Sequence, residues 1–347
     1  MTYKILHIGV GNVGRELVNQ IQQYGHDFVY SGLFDKSGGV FAAEGLSAEQ
    51  VSVFPTGADP QVTASQTVSQ IPTPFVLVDT TAVDATLPVM KDALRKGGAV
   101  AMSNKKPLTG TQADWDELHT LGGARLFYET TVGAGLPVVS TLKSLLATGD
   151  EIVKIQGCFS GTLGYIFSEL ESGAQFSAAV TQAKAFGFTE PDPRDDLSGM
   201  DVARKVLILS RIIGKKLEIS EVDVEKLYSE ALGTLSPEDF MNQVSTLDET
   251  YSAKASAAQA NGTVLRYVAT VTPTEHSVKL LAVPAQSDIG GLRGPDNIVV
   301  IQTKRYYDNP LIIKGPGAGV PVTAAGVFAD CLAAAQILKG ENQHANV

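Results

Sequence analysis

The chain has 347 residues, which is enough for two domains of ordinary size. Its formal net charge of -10 argues against a general affinity for nucleic acid or for an anionic membrane, and we expect neither as a partner. Its two cysteines, Cys158 and Cys331, are too few for a disulfide framework and are not spaced as metal ligands, so we expect them to be small core residues.

The first 136 residues alternate apolar strands with segments of helical period. The N-terminal strand has no long apolar core or cleavage site of a signal peptide, so we predict a cytoplasmic protein. The predicted elements are a strand at 3–10, a helix at 15–24, strands ending at Asp35 and spanning 75–79, a helix at 87–96, a strand at 99–102, a helix at 112–121 and a strand at 125–128. Successive β-α-β units build a parallel sheet, which predicts an α/β, Rossmann-type doubly wound dinucleotide-binding domain over residues 1–136.

After Leu136 the pattern changes to strands with little helix between them. Helices are predicted at 137–147, 163–172, 177–187 and 201–214, and strands at 152–159, 264–271, 278–283 and 297–303, while 219–260 is polar and helical without a recognisable motif. This predicts an α+β domain with a mixed or antiparallel sheet over residues 137–314. We expect residues 315–347 to return to the first domain through a helix at 320–338. Pro316, Pro321 and Asp330 interrupt this apolar stretch, which argues against a membrane span.

A glycine-rich turn joins the first predicted strand to the first helix. It reads Gly9, Val10, Gly11, Asn12, Val13, Gly14, and Asp35 follows 21 residues later at the end of the next strand. Such glycines permit a tight turn and close approach of a pyrophosphate to the helix N-terminus. Asp35 suits the ribose diol of NAD, whereas Lys36 and Ser37 could contact the 2′-phosphate of NADP, so both cofactors stay open. The alternative is a purely structural turn.

A charged segment at 187–205 is the second candidate site. It combines acidic residues with basic ones: Glu190, Asp192, Asp195, Asp196, Asp201, Arg194, Arg204 and Lys205. Asp201 and Lys205 lie four residues apart and therefore share one helical face. A lysine beside carboxylates suits a small substrate that carries an amine and a reacting oxygen, and burial of Lys205 on its apolar helix would lower its pKa. The alternative is a solvated, charge-rich helix start.

Other residues offer weaker signals. The five histidines are scattered, so a zinc site or a Ser-His-Asp triad is unsupported and acid–base chemistry falls to lysine or carboxylate. Lys105 and Lys106 follow a parallel strand, where ligands collect, although a solvated loop pair is the commoner case. The glycine-rich turn from Glu129 to Leu136 could direct carbonyls at a monovalent cation, but a tight strand-to-helix connection is the simpler interpretation.

With these residues in view, the chain resembles the homoserine dehydrogenase family, in its short form without a regulatory ACT domain. The matching segments are Gly9–Gly14, Asn104–Lys106, Glu129–Pro137, Phe159–Leu163, Gly187–Lys205 and Gly315–Val327. The resemblance implies reversible, NAD(P)-dependent interconversion of L-homoserine and L-aspartate 4-semialdehyde, in threonine and methionine biosynthesis. It also implies a homodimer with the second domain's sheet at the interface.

The resemblance further implies roles for individual residues. In the second domain, Lys205 would be the proton donor and acceptor, and Glu190 would hold the substrate ammonium. Asp201 and Asp196 would anchor the lysines and the hydroxyl end of the substrate. Gly161 and Thr162 would contact the substrate. Lys105 would assist at the reacting oxygen and the cofactor, with Thr81 and Gly319 along the cofactor. Glu129, Val132, Ala134 and Leu136 would coordinate a sodium ion.

Two other functions share part of this residue pattern. An aspartate-semialdehyde dehydrogenase needs a thiol nucleophile, and neither cysteine has the histidine-supported setting expected for one. A non-catalytic NAD(P)-binding regulator would keep the glycines and lose the lysines. The joint presence of Lys105, Lys205, Glu190 and Asp201 argues against it.

Overall fold

The computed structural model describes residues 2–344 and divides the chain into two compact units. One comprises the residues up to Gly135 together with those from Gly319 onward, and the other comprises Leu136–Ala318. The predicted boundary at 314 lies four residues earlier than this division, because Leu311–Pro316 forms the last strand of the second unit's sheet.

The first unit is built on a six-stranded sheet. Its elements are β1 (Tyr3–Ile8), α1 (Asn12–Tyr24), β2 (Phe28–Asp35), β3 (Gly38–Phe41), α2 (Ala48–Val53), α3 (Ala64–Gln70), β4 (Phe75–Asp79), α4 (Leu87–Arg95), β5 (Ala99–Met102), α5 (Gln112–Gly122), β6 (Leu126–Phe127) and α14 (Val320–His344). The strand order is β3-β2-β1-β4-β5-β6, and all neighbours are parallel except β2 and β3. This confirms the predicted doubly wound domain.

Burial explains which strands of this sheet could be recognised. Every residue of β4 and β5 is buried, as expected of central parallel strands covered on both faces. The short edge strand β3 was not predicted, because its sequence, Gly-Gly-Val-Phe, has neither the length nor the alternation of a strand signal.

The long helix α14 packs on α1, β4 and β5. Its residues Val320–Glu341 are long and apolar enough, by length and composition, to cross a membrane. However, Ala324, Val327 and Cys331 lie on a face that is fully buried in the first unit's core, as in the core helix of a folded domain. Of the residues expected to interrupt the apolar stretch, Pro316 lies before the helix, at the end of the strand Leu311–Pro316, whereas Pro321 lies in the first helical turn, where proline is tolerated.

The second unit is built on another six-stranded sheet. Its elements are α6 (Val138–Ala147), β7 (Ile152–Cys158), α7 (Gly161–Glu171), α8 (Phe176–Ala185), α9 (Pro193–Leu197), α10 (Met200–Ile212), β8 (Asp223–Val224), α11 (Glu230–Gly233), α12 (Pro237–Gln243), α13 (Asp248–Ala260), β9 (Thr263–Val271), β10 (His276–Pro284), β11 (Asp296–Thr303) and β12 (Leu311–Pro316). The strand order is β12-β11-β7-β9-β10-β8, antiparallel except for β8 beside β10. The predicted mixed sheet is confirmed.

The helices on this sheet place the second candidate site. Helix α10 packs on β9 and β10, and it buries the apolar residues Val202, Val206 and Leu209. Lys205 lies on the buried side of the same helix. The short strands β8 and β12 and the divided helices of 219–260 were not predicted as separate elements.

Candidate active site

The glycine-rich turn of the first unit can be formed only by glycine at two of its positions. Gly9 has φ of +94°, and a Cβ there would lie 2.8 Å from the amide nitrogen of Thr81. A Cβ at Gly14 would lie 2.5 Å from the carbonyl oxygen of Gly9. By contrast, a Cβ at Gly11 would meet no atom within 4 Å, so this residue borders open space. The turn is therefore tightly packed at Gly9 and Gly14 and open at Gly11.

Helix α1 begins at Asn12, three residues before the predicted start. Asn12, Val13 and Gly14 consequently form its first turn, where backbone N–H groups have no partner within the helix and the helix dipole favours an anion. A carboxylate is absent from this turn. The arrangement suits a pyrophosphate.

A cavity of about 670 Å³ lies beside this turn, within the first unit. Its size is in the range of cofactor sites, and half of its other lining residues are apolar. The predicted cofactor residues that line it are Gly9, Val10, Gly11, Asn12, Asp35 and Thr81. Six of the predicted contacts thus share one cavity.

Asp35 ends β2 at the edge of this cavity. Its Oδ1 accepts hydrogen bonds from the backbone N–H of Ser37 at 2.7 Å and from the Ser37 hydroxyl at 2.5 Å. These bonds hold the carboxylate in one orientation. A second cavity of about 280 Å³ also borders Asp35 and Lys36 and is lined by Ser37. The site therefore offers a carboxylate for a ribose diol and polar groups that could meet a 2′-phosphate.

Asn104 organises the loops next to the cavity, and the sequence analysis gave it no role. Its side-chain nitrogen, which has two N–H groups, lies within hydrogen-bond distance of three acceptors: Asp79 Oδ2 at 3.0 Å, Thr81 Oγ1 at 3.1 Å and the carbonyl oxygen of Val83 at 2.7 Å. Asp79 is fully buried and also accepts from the backbone N–H of Thr81 at 2.8 Å. The sequence signal for this cluster is Asp79, a carboxylate at the end of the otherwise apolar strand β4.

Lys105 lies just beyond β5, at the carboxyl edge of the sheet, as predicted. It is partly buried and precedes the 3₁₀ helix Lys106–Leu108, and its carbonyl accepts from the N–H of Leu108 at 3.0 Å. Lys106 instead forms an exposed ion pair with Asp84 at 3.3 Å. Both lysines are therefore partly buried, and the ammonium of Lys106 is paired with Asp84.

Lys205 is the central charge of the second unit's candidate site. Its side chain is only 10% exposed, and Nζ donates to the carbonyl oxygen of Phe159 at 2.6 Å and forms an ion pair with Asp201 Oδ2 at 2.7 Å. The predicted pairing across one helical turn is confirmed. An isolated buried ammonium is costly, and here the carboxylate and the carbonyl supply its hydrogen-bond partners where α10 meets the end of β7.

Thr162, Asp196 and Glu190 form a second polar cluster in this unit. The Thr162 hydroxyl lies 3.0 Å from Asp196 Oδ1 and 2.5 Å from the carbonyl oxygen of Phe188. The backbone N–H of Glu190 donates to Asp196 Oδ2 at 2.8 Å, and the Glu190 residue is exposed. Burial raises the pKa of Asp196 to about 6. Asp196 thus ties the loop that carries Glu190 to the start of α7.

Glycines allow close backbone approach around these side chains. A Cβ at Gly161, the first residue of α7, would lie 2.9 Å from the carbonyl oxygen of Pro295. Gly199 precedes α10 with φ of +73°, and a Cβ there would collide with the hydroxyl of Tyr267. Within the acidic segment, the short helix α9 begins after Asp192, whose carboxylate caps it and accepts from Arg194. This helix was not predicted.

The turn implied as a sodium site begins with the 3₁₀ helix Glu129–Thr131. The N–H of Glu129 donates to Asp330 Oδ2 of α14 at 3.0 Å, Val132 is fully buried, and Ala134 has φ of +52°. Leu136 is the first residue of the second unit. Over residues 2–344, no group of three or more His, Cys, Asp or Glu side chains is placed to hold a metal, so main-chain oxygens would have to dominate any site here.

Two remaining predictions concern Gly319 and the cysteines. Gly319 has φ of +130° and immediately precedes α14, and its carbonyl accepts the hydrogen bond from the N–H of Thr323 at 3.1 Å. Cys158 and Cys331 are both buried, which confirms them as core residues, and burial raises the pKa of the Cys158 thiol to about 12. A thiol of this kind is a poor nucleophile.

The predicted residues thus form two sets, one in each unit. The first contains the glycine turn, Asp35, Thr81 and Lys105, and the second contains Lys205 with Asp201 and the cluster of Thr162, Asp196 and Glu190. The first set can hold a dinucleotide, and the second can bind a small polar molecule and exchange a proton with it.

Comparison with known proteins gives consistent matches over both units. Residues 9–129 match the family model described as homoserine dehydrogenase, NAD binding domain, and residues 137–332 match the model described as homoserine dehydrogenase. A homoserine dehydrogenase from Emericella nidulans is 39% identical, over 94% of this chain and 96% of its own length.

Two further relatives extend this match. The chain is 48% identical, over 74% of its length, to the chloroplastic bifunctional aspartokinase/homoserine dehydrogenase 1 of Zea mays, but it spans only 29% of that protein. A hyperthermophilic archaeal homoserine dehydrogenase in complex with NADPH has a TM-score of 0.75 and 27% identity, covering 97% of this chain and 98% of the archaeal one.

Proposed function

The chain belongs to the homoserine dehydrogenase family, and from this premise we propose that it interconverts L-homoserine and L-aspartate 4-semialdehyde with NAD or NADP. The observation that carries the proposal is the ion pair at 2.7 Å between the buried Lys205 and the partly exposed Asp201. The ammonium form of a lysine held in this way can donate a proton to a carbonyl oxygen, and its neutral amine form can accept one from an alcohol. The pathway role that we propose is a step towards threonine and methionine.

The reaction divides between the cofactor and the protein. When bound, the nicotinamide supplies or accepts the hydride. Lys205 donates a proton to the carbonyl oxygen in reduction, and the same ammonium stabilises the negative charge that develops on that oxygen. Asp201 and the Phe159 carbonyl orient the amine, since both contact Nζ. Lys105 is proposed to act at the cofactor and the reacting oxygen.

Glu190 and its neighbours are proposed to bind the amino-acid end of the substrate. The Glu190 residue is exposed, while Asp196 binds its backbone N–H at 2.8 Å and so restrains the loop. An oriented carboxylate suits the substrate ammonium. Thr162 and Gly161, at the start of α7, are proposed to contact the substrate beside it.

Turnover by the purified protein tests the proposal. Homoserine oxidation would be followed by the appearance of reduced nicotinamide, with NAD+ and NADP+ supplied separately. We expect Lys205→Met to lower kcat by about 10²–10⁴-fold, the usual contribution of a positioned acid or base. Lys216→Ala, an exposed change just beyond the same helix, is the matched control and should retain full activity. Near-normal turnover by Lys205→Met would remove this lysine from its role, and wild-type protein inactive with both cofactors would refute the reaction.

A sodium ion at Glu129, Val132, Ala134 and Leu136 is also proposed. The left-handed backbone of Ala134 and the Asp330 bond to the Glu129 amide support it, because both fix the direction of the turn's carbonyls. Replacing Na+ by the larger tetramethylammonium at constant ionic strength should lower the melting temperature. An unchanged melting temperature and unchanged activity would contradict a resident ion.

A homodimer formed through the second unit's sheet is proposed as well. The edge strand β12 supports it, since Ile312 there is 46% exposed. Ile312→Glu should convert the dimer to monomer in sedimentation experiments, and a wild-type monomer would contradict the proposal. A cytoplasmic location stays a prediction.

A further inference from the structure

His7 is a buried polar residue on the central strand β1, behind the glycine turn. It is fully buried, and its Nε2 lies 2.9 Å from Thr80 Oγ1. The Thr80 hydroxyl in turn lies 2.7 Å from the carbonyl oxygen of Gly9, the first glycine of the turn. Thr80 lines the cavity of about 670 Å³, whereas His7 does not. A chain of two hydrogen bonds therefore connects the core of the sheet to the surface of the candidate cofactor site.

The direction of these bonds follows from the number of protons available. The Thr80 hydroxyl has one proton, and the short distance to the Gly9 carbonyl requires that proton to lie between the two oxygens. The imidazole must then donate to Thr80 Oγ1 from a protonated Nε2. Burial lowers the pKa of His7 to about 3, so the ring is neutral and carries its single proton on Nε2. Nδ1 is consequently a bare acceptor.

His7 is poorly suited to a purely structural role. Its Nδ1 is buried and has no hydrogen-bond partner among the described residues, and the hydroxyl of its ring neighbour Tyr30 has none either. An apolar side chain of similar size would avoid this unfavourable burial. The ring nitrogen that does have a partner is Nε2, which faces Thr80 and the glycine turn.

The third glycine of the turn gives independent support. A Cβ at Gly14 would lie 2.9 Å from Thr80 Oγ1 and 2.5 Å from the Gly9 oxygen, which are the two atoms of the second hydrogen bond. Gly14 therefore leaves the space through which this bond passes beneath the first turn of α1. The backbone of Thr80 is itself fixed, because its N–H donates to the carbonyl of Ile8 at 2.9 Å.

We propose that His7 is a positioning residue for the dinucleotide, acting through Thr80 on the Gly9 carbonyl. The imidazole orients the Thr80 hydroxyl, and this hydroxyl holds the turn in the shape that leaves Gly11 and the first N–H groups of α1 open to a pyrophosphate. The inference rests on the proposed function only in requiring dinucleotide binding. It does not require turnover of homoserine.

Direct titration of NADH and NADPH, followed by nucleotide fluorescence, tests this relay. We expect His7→Leu and Thr80→Val each to raise the Kd about fivefold to tenfold, with a melting temperature equal to or above that of the wild type for His7→Leu. The double variant should be no worse than either single variant, because both remove the same connection. Thr80→Ser, which keeps the hydroxyl, and His7→Gln, which keeps a donor, should restore most of the affinity. In all of these variants the KM for homoserine should be unchanged.

The outcomes separate positioning from mere stability. A lower melting temperature with an unchanged Kd in His7→Leu would overturn the proposal, and so would additive losses in the double variant. If His7→Leu does not fold, Thr80→Val decides, and a wild-type Kd there would overturn it. Wild-type protein that binds dinucleotide but does not oxidise homoserine would refute the proposed reaction and leave the relay measurable.

Discussion

The cofactor site of the first unit is made largely of backbone, whereas the candidate substrate site of the second unit is made of side chains. In the first unit, Gly9 and Gly14 have no room for a Cβ atom. The groups that can bind the cofactor there are backbone amides. In the second, Lys205, Asp201 and Asp196 come from α9 and α10 and act through charge. A backbone site is therefore sensitive to volume, and a side-chain site is sensitive to protonation.

The largest effect on stability is expected from added volume in the glycine turn. Gly14→Ala places a methyl group 2.5 Å from a backbone oxygen, so we expect the free energy of unfolding to fall by about 3 kcal/mol, the upper end for overpacking. Gly11→Ala meets no protein atom and should leave the melting temperature unchanged while weakening dinucleotide binding. Thermal unfolding and nucleotide titration of both variants measure the contrast. Equal destabilisation would show that the turn is not packed as described.

The next effect concerns cofactor choice at Asp35. Asp35→Ala removes a carboxylate that can bind a ribose diol and repel a 2′-phosphate. We expect the ratio of kcat/KM for NADP+ to that for NAD+ to rise about tenfold or more, which corresponds to about 1.4 kcal/mol. Ser37→Ala, which keeps the carboxylate but removes the hydroxyl that binds it at 2.5 Å, should change the ratio less. An unchanged ratio in Asp35→Ala would show that the carboxylate does not face the ribose.

A third prediction tests whether the second unit also depends on a glycine. Gly199→Ala combines a left-handed φ of +73° with a collision at Tyr267, and should lower the free energy of unfolding by about 2 kcal/mol. Gly187→Ala is the matched control, because φ is +70° there and no atom lies within 4 Å of the added Cβ. It should cost about 1 kcal/mol from backbone strain alone. Denaturant unfolding at equal pH measures the difference, and equal losses would exclude the collision.

A fourth prediction is a dependence of stability on pH at Asp196. Burial raises its pKa from the ordinary 3.8 to about 6, so the folded protein favours the protonated carboxyl. The resulting stabilisation is complete below about pH 4 and is lost as the pH rises through about 6. Relative to Asp196→Asn, which stays neutral, the wild-type free energy of unfolding should therefore decrease over this interval. If the difference in free energy of unfolding between the two proteins did not change with pH, the Asp196 carboxyl would have to be as solvated in the folded protein as in the unfolded chain.

Local pattern was sufficient for most of the fold. The central strands β4 and β5, the turn at Gly9–Gly14 and the pairing of Lys205 with Asp201 each depend on neighbours close in the sequence. Such features follow from periodicity and spacing. The edge strands β3 and β12 were missed because an edge strand has little burial of its own and depends on a partner elsewhere in the chain.

The long-range contacts needed the tertiary structure. Asn104 reaches Asp79 across 25 residues, the Asp330 carboxylate reaches Glu129 across 201, and His7 reaches Thr80 across 73. Nothing in the local sequence of these residues specifies the partner, since an isolated Asn, Asp or His can bind many groups.

The amino-acid order by itself determined the two kinds of sheet, the glycine turn and the segment that carries Lys205, because backbone geometry and helical spacing act over a few residues. Only the tertiary structure decided which buried donors meet which acceptors, and so which polar groups hold the turn in place. The physical reason is that a hydrogen bond in the core is selected by the packing of distant strands and helices, and this packing is a property of the whole unit.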